Sequence, residues 1–372
     1  MNARLSSAIA KGKQANSLKH GFRTISAEMN QLLSKSRASL MGLSMVSIIM
    51  FHQLFVGGPI ARLFHLVGHL GVDAFLFVSG FGVYYSIYES RKQNQPISMF
   101  YMRRFWRIFP TCILAGVCFL YFWMSSIPGL YYPYSANFVS AFVGLDVWYI
   151  RTIVIFYLIS PLLYNFLQGV KSFMFAWLLM LLITPVLAQM FRLGVSFLFE
   201  HSYFMQQTIV WTIERFPAFF FGMFFAHRKF EVKEFLNAKF VWLAIFCFSL
   251  FSATAVAKML GIGKNDDLCG YLYALSGSYV LIVPFLPIAV ILSGYFTKVC
   301  IFARSTVEWI GKYSLELFLA HSAIFPFCLM EFGGGVPVFI TALLFSFIFA
   351  IILKYVASVC VKVVRGLSHV RK

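Results

Sequence analysis

Of the 372 residues, 60% are apolar and only 12% charged, with a mean hydropathy of +0.80. Soluble domains carry about 45–50% apolar and ~25% charged residues, so this composition excludes an ordinary soluble protein and implies a multipass membrane protein. The formal net charge of +18 would suit a nucleic-acid binder, but the basic residues fall mainly between alternate hydrophobic segments. That is the positive-inside pattern, which reports orientation, and no nucleic-acid partner is expected.

Residues 1–36 are polar, rich in Ser and Lys, and hold no apolar core of signal-peptide length. Lys11, Lys13, Lys19, Arg23, Lys35 and Arg37 precede the first span and assign this tail to the cytoplasm, in contact with anionic headgroups. At ~20 residues per crossing, roughly ten spans are predicted. They are placed at about 39–56, 66–88, 108–125, 147–167, 173–191, 209–226, 240–259, 272–296, 308–329 and 336–358.

The later connections test that assignment. Those after spans two, four, six and eight, with the C-terminal tail, hold Arg91, Lys92, Arg103, Arg104, Arg107, Lys171, Arg228, Lys229, Lys233, Lys239, Lys298, Arg304 and Lys312, then Lys354, Lys362, Arg365, Arg371 and Lys372. The intervening connections hold only Arg62, Arg192, Lys258 and Lys264. The expected fold is therefore an all-α membrane bundle of about ten transmembrane helices with both termini cytoplasmic. A basic tail at 1–36, one membrane domain at 37–360 and a basic tail at 361–372 complete the organisation. The seven cysteines include no CxxC pair and read as small buried hydrophobes.

Ionisable side chains inside such apolar sequence are expensive to place in a bilayer, and each is a functional candidate. His52 closes the apolar run LMGLSMVSIIMF, where a neutral imidazole can take a proton from a hydroxyl as a general base. A histidine hydrogen-bonded to a neighbouring helix is the structural alternative. His65, His69 and Asp73 follow at four-residue spacing, but no HExxH or equivalent completes a zinc site, and no metal is expected. Arg104 and Arg107 lie three apart in the basic turn RRFWRIFP, with Pro110 just inside the third span. Arginines at i and i+3 share a helical face and can fork onto phosphate oxygens, which suits a nucleotide-bearing donor; a positive-inside anchor is the alternative. In PGLYYPYSAN, Tyr131, Tyr132 and Tyr134 can stack on sugar rings or anchor the interface.

His52, GVDAFLFVSGF at 71–81, RRFWRIFP at 103–110, WYIRTIVIFYLISPLL at 148–163, RFPAFFFGM at 215–223 and GKYSLELFLAH at 311–321 succeed one another along the chain. This succession resembles the acyltransferase-3 family of integral membrane O-acyltransferases, in order and in span count, from about 37 to 355. The resemblance implies transfer of an acyl group, commonly acetyl from acetyl-CoA, to a hydroxyl of a surface carbohydrate or a lipid-linked precursor. The implied location is the bacterial inner membrane, with acyl-CoA as co-substrate, no bound cofactor, and glycan and membrane lipids as partners.

By the same resemblance His52 is the catalytic histidine, and Arg104 and Arg107 are the RxxR pair that engages the donor. Asp73, Ser79 and Gly80 belong to the GVD…SGF run, Glu316 and His321 to the SLE…H run, and Arg215 precedes the FxxG segment. Asp73 or Glu316 is a candidate orienter of an imidazole, and Arg215 or His321 a candidate donor to an oxyanion. Ser79 and Arg215 join the expected donor site, Trp148 and Tyr132 the acceptor site. As structural alternatives, Glu316 would pair with Arg215 and Asp73 with His69. Direct transfer and an acyl-enzyme on Ser79 or a histidine are both compatible with these residues. Many relatives carry an arginine eleven positions before the histidine. Met41 stands there in this chain, with Arg37 on roughly the same helical face. A transporter or flippase for a lipid-linked or acylated sugar, with His52, Arg215 and Glu316 as a proton or substrate pathway, is the competing function.

Overall fold

The computed structural model describes residues 29–52, 64, 68–126, 148–198, 209–231, 234, 237–260 and 301–370. Among these residues the regular structure is ten α-helices: α1 (Met29–Phe51), α2 (Leu70–Lys92), α3 (Ile97–Ser126), α4 (Trp148–Leu167), α5 (Phe173–Leu198), α6 (Trp211–Arg228), α7 (Ala238–Met259), α8 (Ile301–Lys312), α9 (Ser314–Phe332) and α10 (Val336–Val370). Helices are what a chain this apolar must form, because each backbone N–H and C=O then finds its partner within its own segment.

Among the described residues, six segments are long and apolar enough to cross a membrane: Leu70–Lys92, Trp148–Leu167, Phe173–Phe191, Ala238–Ala257, Ser314–Phe332 and Val336–Val364. Of the rest, α8 has only 12 residues, and α6 carries Glu214, Arg215 and Arg228 among its apolar positions. The span expected at 272–296 lies outside the described residues, as do His65, the PGLYYPYSAN segment and most of the N-terminal tail.

Several boundaries differ from expectation: α1 starts at Met29 rather than near 39, α5 runs to Leu198 rather than 191, α10 runs to Val370 rather than 358, and two further differences bear on the site. The ninth span begins at Ser314 and not near 308, because Tyr313 leaves helical geometry with φ −107° and ψ 11°. The chain turns there, and Trp309 and Glu308 belong to the separate helix α8. The sequence RRFWRIFP is no turn but the middle of α3, which starts at Ile97 and runs straight through Pro110.

The chain forms two compact units, one of residues 1–37 with 225–301 and one of residues 38–224 with 302–372. In the first, Asn30 Nδ2 donates to the Ala226 carbonyl at 3.3 Å, Phe225 packs on Phe230 at 4.8 Å, and Arg228 pairs with Glu234 at 3.7 Å.

Apart from Arg37, the second unit holds every candidate residue that the structure describes. Within it α3 packs against α2, α4, α9 and α10. Exposure follows the helical period: on α4, Leu158, Leu162 and Phe166 form one outward apolar row while Ile153, Phe156, Ser160 and Tyr164 are buried. A row of that kind suits lipid contact. The Phe219–Phe221 run, Met223 and Phe224 on α6 are fully buried, so this stretch of the helix is packed around its circumference.

Two glycine contacts set how closely the helices approach. A Cβ on Gly80 of α2 would overlap the Phe219 carbonyl of α6, and a Cβ on Gly222 would overlap the Phe77 carbonyl of α2. Gly42 of α1 and Gly311 of α8 meet the backbones of Val307 and Ala38 in the same reciprocal way. Small residues at these four positions let backbones touch, which is a main source of helix association where lipid removes the hydrophobic drive.

Candidate functional site

His52 follows directly on the last residue of α1. Its ring Nδ1 lies 2.9 Å from the Ile48 carbonyl oxygen, one turn back. A carbonyl only accepts, so Nδ1 carries the proton and the lone pair resides on Nε2. His321, fully buried on α9, repeats the device by donating from Nδ1 to the Leu317 carbonyl at 3.0 Å. Its Nε2 lone pair then faces His52 Nδ1–H at 3.4 Å, with ring centroids 5.1 Å apart. His52 Nδ1–H is thus held by its own backbone carbonyl, with His321 Nε2 beside it as a longer, second acceptor.

Asp73 is fully buried, and Arg215 Nη1 donates to its Oδ2 at 2.6 Å. The pair joins the first turn of α2 to the second turn of α6. About two helical turns further along both chains lies the Gly80–Gly222 contact. A short ionic bond and a backbone contact thus hold the same two helices at two levels. The partnership expected between Arg215 and Glu316 is corrected by this geometry: Arg215 holds Asp73, while Glu316 Oε2 lies 3.8 Å from Lys354 Nζ of α10. Lys354 also donates to the Lys312 carbonyl and sits 4.4 Å over the Tyr313 ring, clamping the turn from which α9, with Glu316 and His321, departs.

On α3, Arg104 is partly buried. Its Nη2 donates to the Gly82 carbonyl at 3.2 Å, and the guanidinium lies 5.2 Å over Tyr157 and 5.4 Å over Phe100. Arg107, one turn further, is exposed and borders a cavity of about 50 Å³. Ser79, Tyr149, Tyr157 and Ser314 give this cavity polar lining, and Met41, Phe75, Ile108, Ile153, Leu315 and Phe318 give it apolar walls. Phe318 packs on Tyr149 at 4.9 Å and on His321 at 5.4 Å. One ring therefore touches both the cavity wall and the histidine pair.

Trp148 opens α4 and packs edge-on against Trp211 of α6 at 5.2 Å, with the buried Thr152–Thr212 hydroxyl pair at 2.8 Å one turn below. Tyr132 lies outside the described residues. Of the described candidates, His52 and His321 meet, Asp73 and Arg215 meet, and Ser79 and Arg107 share the cavity with Met41. Sequence reasoning gave no role to Arg151 and Glu214, both buried. Their signal was available: each interrupts an apolar run, in WYIRT and in TIER.

The family described as an acyltransferase domain, acyltransferase-3, matches residues 40–358. No curated protein and no solved structure matches the chain significantly.

Proposed function

The chain belongs to the acyltransferase-3 family and is a multipass membrane acyltransferase, and from that premise we propose that it moves acetyl from cytoplasmic acetyl-CoA to a hydroxyl of a cell-surface carbohydrate or its lipid-linked precursor. The bacterial inner membrane is the matching location, with both termini in the cytoplasm. Family membership favours this enzyme over a transporter of the same sugar.

The observation that carries the reading is the oriented His52–His321 pair. A sugar hydroxyl is a poor nucleophile until a base takes its proton as it attacks. In the proposed step the hydroxyl oxygen adds to the thioester carbonyl carbon while His52 Nε2 accepts the hydroxyl proton. The imidazolium so formed keeps Nδ1–H on the Ile48 carbonyl, with His321 Nε2 beside it as a second acceptor for the new charge. Collapse of the tetrahedral adduct breaks the carbon–sulfur bond, and His52 Nε2 returns its proton to the thiolate, giving ester and free CoA. Arg107 and Arg104 are the groups assigned to the donor, the first at the cavity and the second behind it on Tyr157. Arg215, held by Asp73, orders the helix pair that carries Ser79. Trp148, paired with Trp211, offers an aromatic edge to the acceptor.

Mass spectrometry of surface polysaccharide tests this reading in cells expressing the parent chain, His52→Ala or Arg104→Ala at matched membrane levels. Acyl esters should appear with the parent and vanish with His52→Ala. Acylation that survives His52→Ala removes the histidine from the mechanism, and a parent that adds no ester to any glycan removes the acetyltransferase assignment.

A further inference from the structure

Two of the ion pairs in the second unit differ in kind. Arg215 holds Asp73 at 2.6 Å, with side chains 11% and 0% exposed, a closed contact that serves structure. Lys354 and Glu316 stand 3.8 Å apart, with side chains 39% and 11% exposed. That separation exceeds the ~2.7–2.9 Å of a charge-assisted hydrogen bond, so the carboxylate neutralises Lys354 without gripping it. The helices that carry these groups pack pairwise: α3 against α9, α3 against α10 and α9 against α10. Arg107 of α3 lines the same pocket as Ser314 and Leu315 in the first turn of α9, and its charge acts on Glu316 together with that of Lys354. Glu316 also lies in that first turn, at the positive end of the helix. Among the described residues, two cations thus converge on one carboxylate, and the positive excess lies on the side of the bundle proposed to face the cytoplasm.

We propose that Lys354 is a phosphate-binding residue of the donor site, acting beside Arg107 on one phosphate group of acyl-CoA, with Glu316 as the resting counter-ion whose pairing the phosphate replaces. The proposal rests on acyl-CoA being the donor, and it adds to Arg104 and Arg107 a cation brought in from the last helix. A lysine meets phosphate as a point charge on a flexible stem, where an arginine forks onto it, and Lys354 need only leave its loose contact with Glu316. Its bond to the Lys312 carbonyl keeps the ammonium at the turn in front of α9. Lipid headgroups carry phosphate too, so a test must separate the two sources.

The test compares two ligands on the purified full chain in uncharged, phospholipid-free detergent: acetyl-CoA, and S-acetylpantetheine, which carries the same thioester without phosphate. Lys354→Gln should weaken acetyl-CoA by about 10–100-fold, as expected for a lost hydrogen bond to a charged group, and leave S-acetylpantetheine within about twofold. Lys354→Arg, which keeps the charge, should recover most of that loss. Glu316→Gln, which removes the competing anion, should bind acetyl-CoA more tightly than the parent, and this arm stands even where a Lys354 variant fails to fold. Equal weakening of both ligands by Lys354→Gln means that the lysine only braces the turn at Tyr313, and overturns the phosphate contact. Unchanged acetyl-CoA affinity in Lys354→Gln, or weaker binding by Glu316→Gln, overturns it as well, and in each case the donor assignment stands. In the unchanged case, loss of the thermal stabilisation given by added phosphatidylglycerol assigns Lys354 to a lipid headgroup instead. If acetyl-CoA does not bind the parent, the donor assignment falls and this site with it.

Discussion

In the proposed mechanism, His52 and His321 divide the work of one base between two side chains. Each imidazole uses Nδ1 to bind the carbonyl one turn back on its own helix, which leaves a lone pair on the opposite nitrogen. A neutral acceptor behind His52 therefore stabilises the imidazolium less than an ionised one would, and removing it should still be costly. His321→Leu is expected to reduce acyl transfer by about 10–100-fold, in the range seen when groups behind a functional histidine are lost. His321→Gln, whose side-chain oxygen can accept from His52 Nδ1–H, should recover part of that loss in kcat with little change in the KM for acyl-CoA. Equal activity of the two variants would show that His321 acts by packing alone.

At the scale of elements, the α2–α6 pair depends on two kinds of contact that respond differently to substitution. Arg215→Ala removes the ionic partner of the buried Asp73 carboxylate, a loss of about 3–5 kcal/mol when one member of such a pair is removed. Adding Asp73→Asn to it should restore most of the thermal stability, because the buried charge disappears. A denaturation midpoint no higher in the double variant than in Arg215→Ala would contradict this account. Gly222→Ala has no such rescue. Its methyl group would overlap the Phe77 backbone, the helices must separate, and about 1–3 kcal/mol of stability should be lost. The SGF and FxxG runs thus owe their glycines to one shared contact.

For the whole molecule, basic and neutral connections alternate along the chain and predict that both termini face the cytoplasm. A cysteine-free chain carrying Lys372→Cys should resist a membrane-impermeant maleimide in intact cells and react once the membrane is opened. Labelling in intact cells would invert the proposed topology, and with it the side from which Arg104 and Arg107 meet the donor.

Membrane character, helical class and most span positions were legible because they depend on local composition: ~20 apolar residues leave a chain few alternatives in lipid. The isolated charges were legible as candidates for the same reason, since each interrupts an apolar run. Their partnerships were not. Spacing along a helix reports only neighbours three or four positions apart, whereas His52 meets His321 across 269 positions and Asp73 meets Arg215 across 142. The exchange of partners between Arg215 and Glu316, the turn at Tyr313 that separates α8 from α9, and the small cavity beside Arg107 all arise from how helices lie against one another. Composition by itself determined that this chain is a helical membrane protein and where its costly side chains stand. Only the tertiary structure decided which of them meet, because close packing between distant segments depends on glycine contacts and side-chain shapes that no local pattern records.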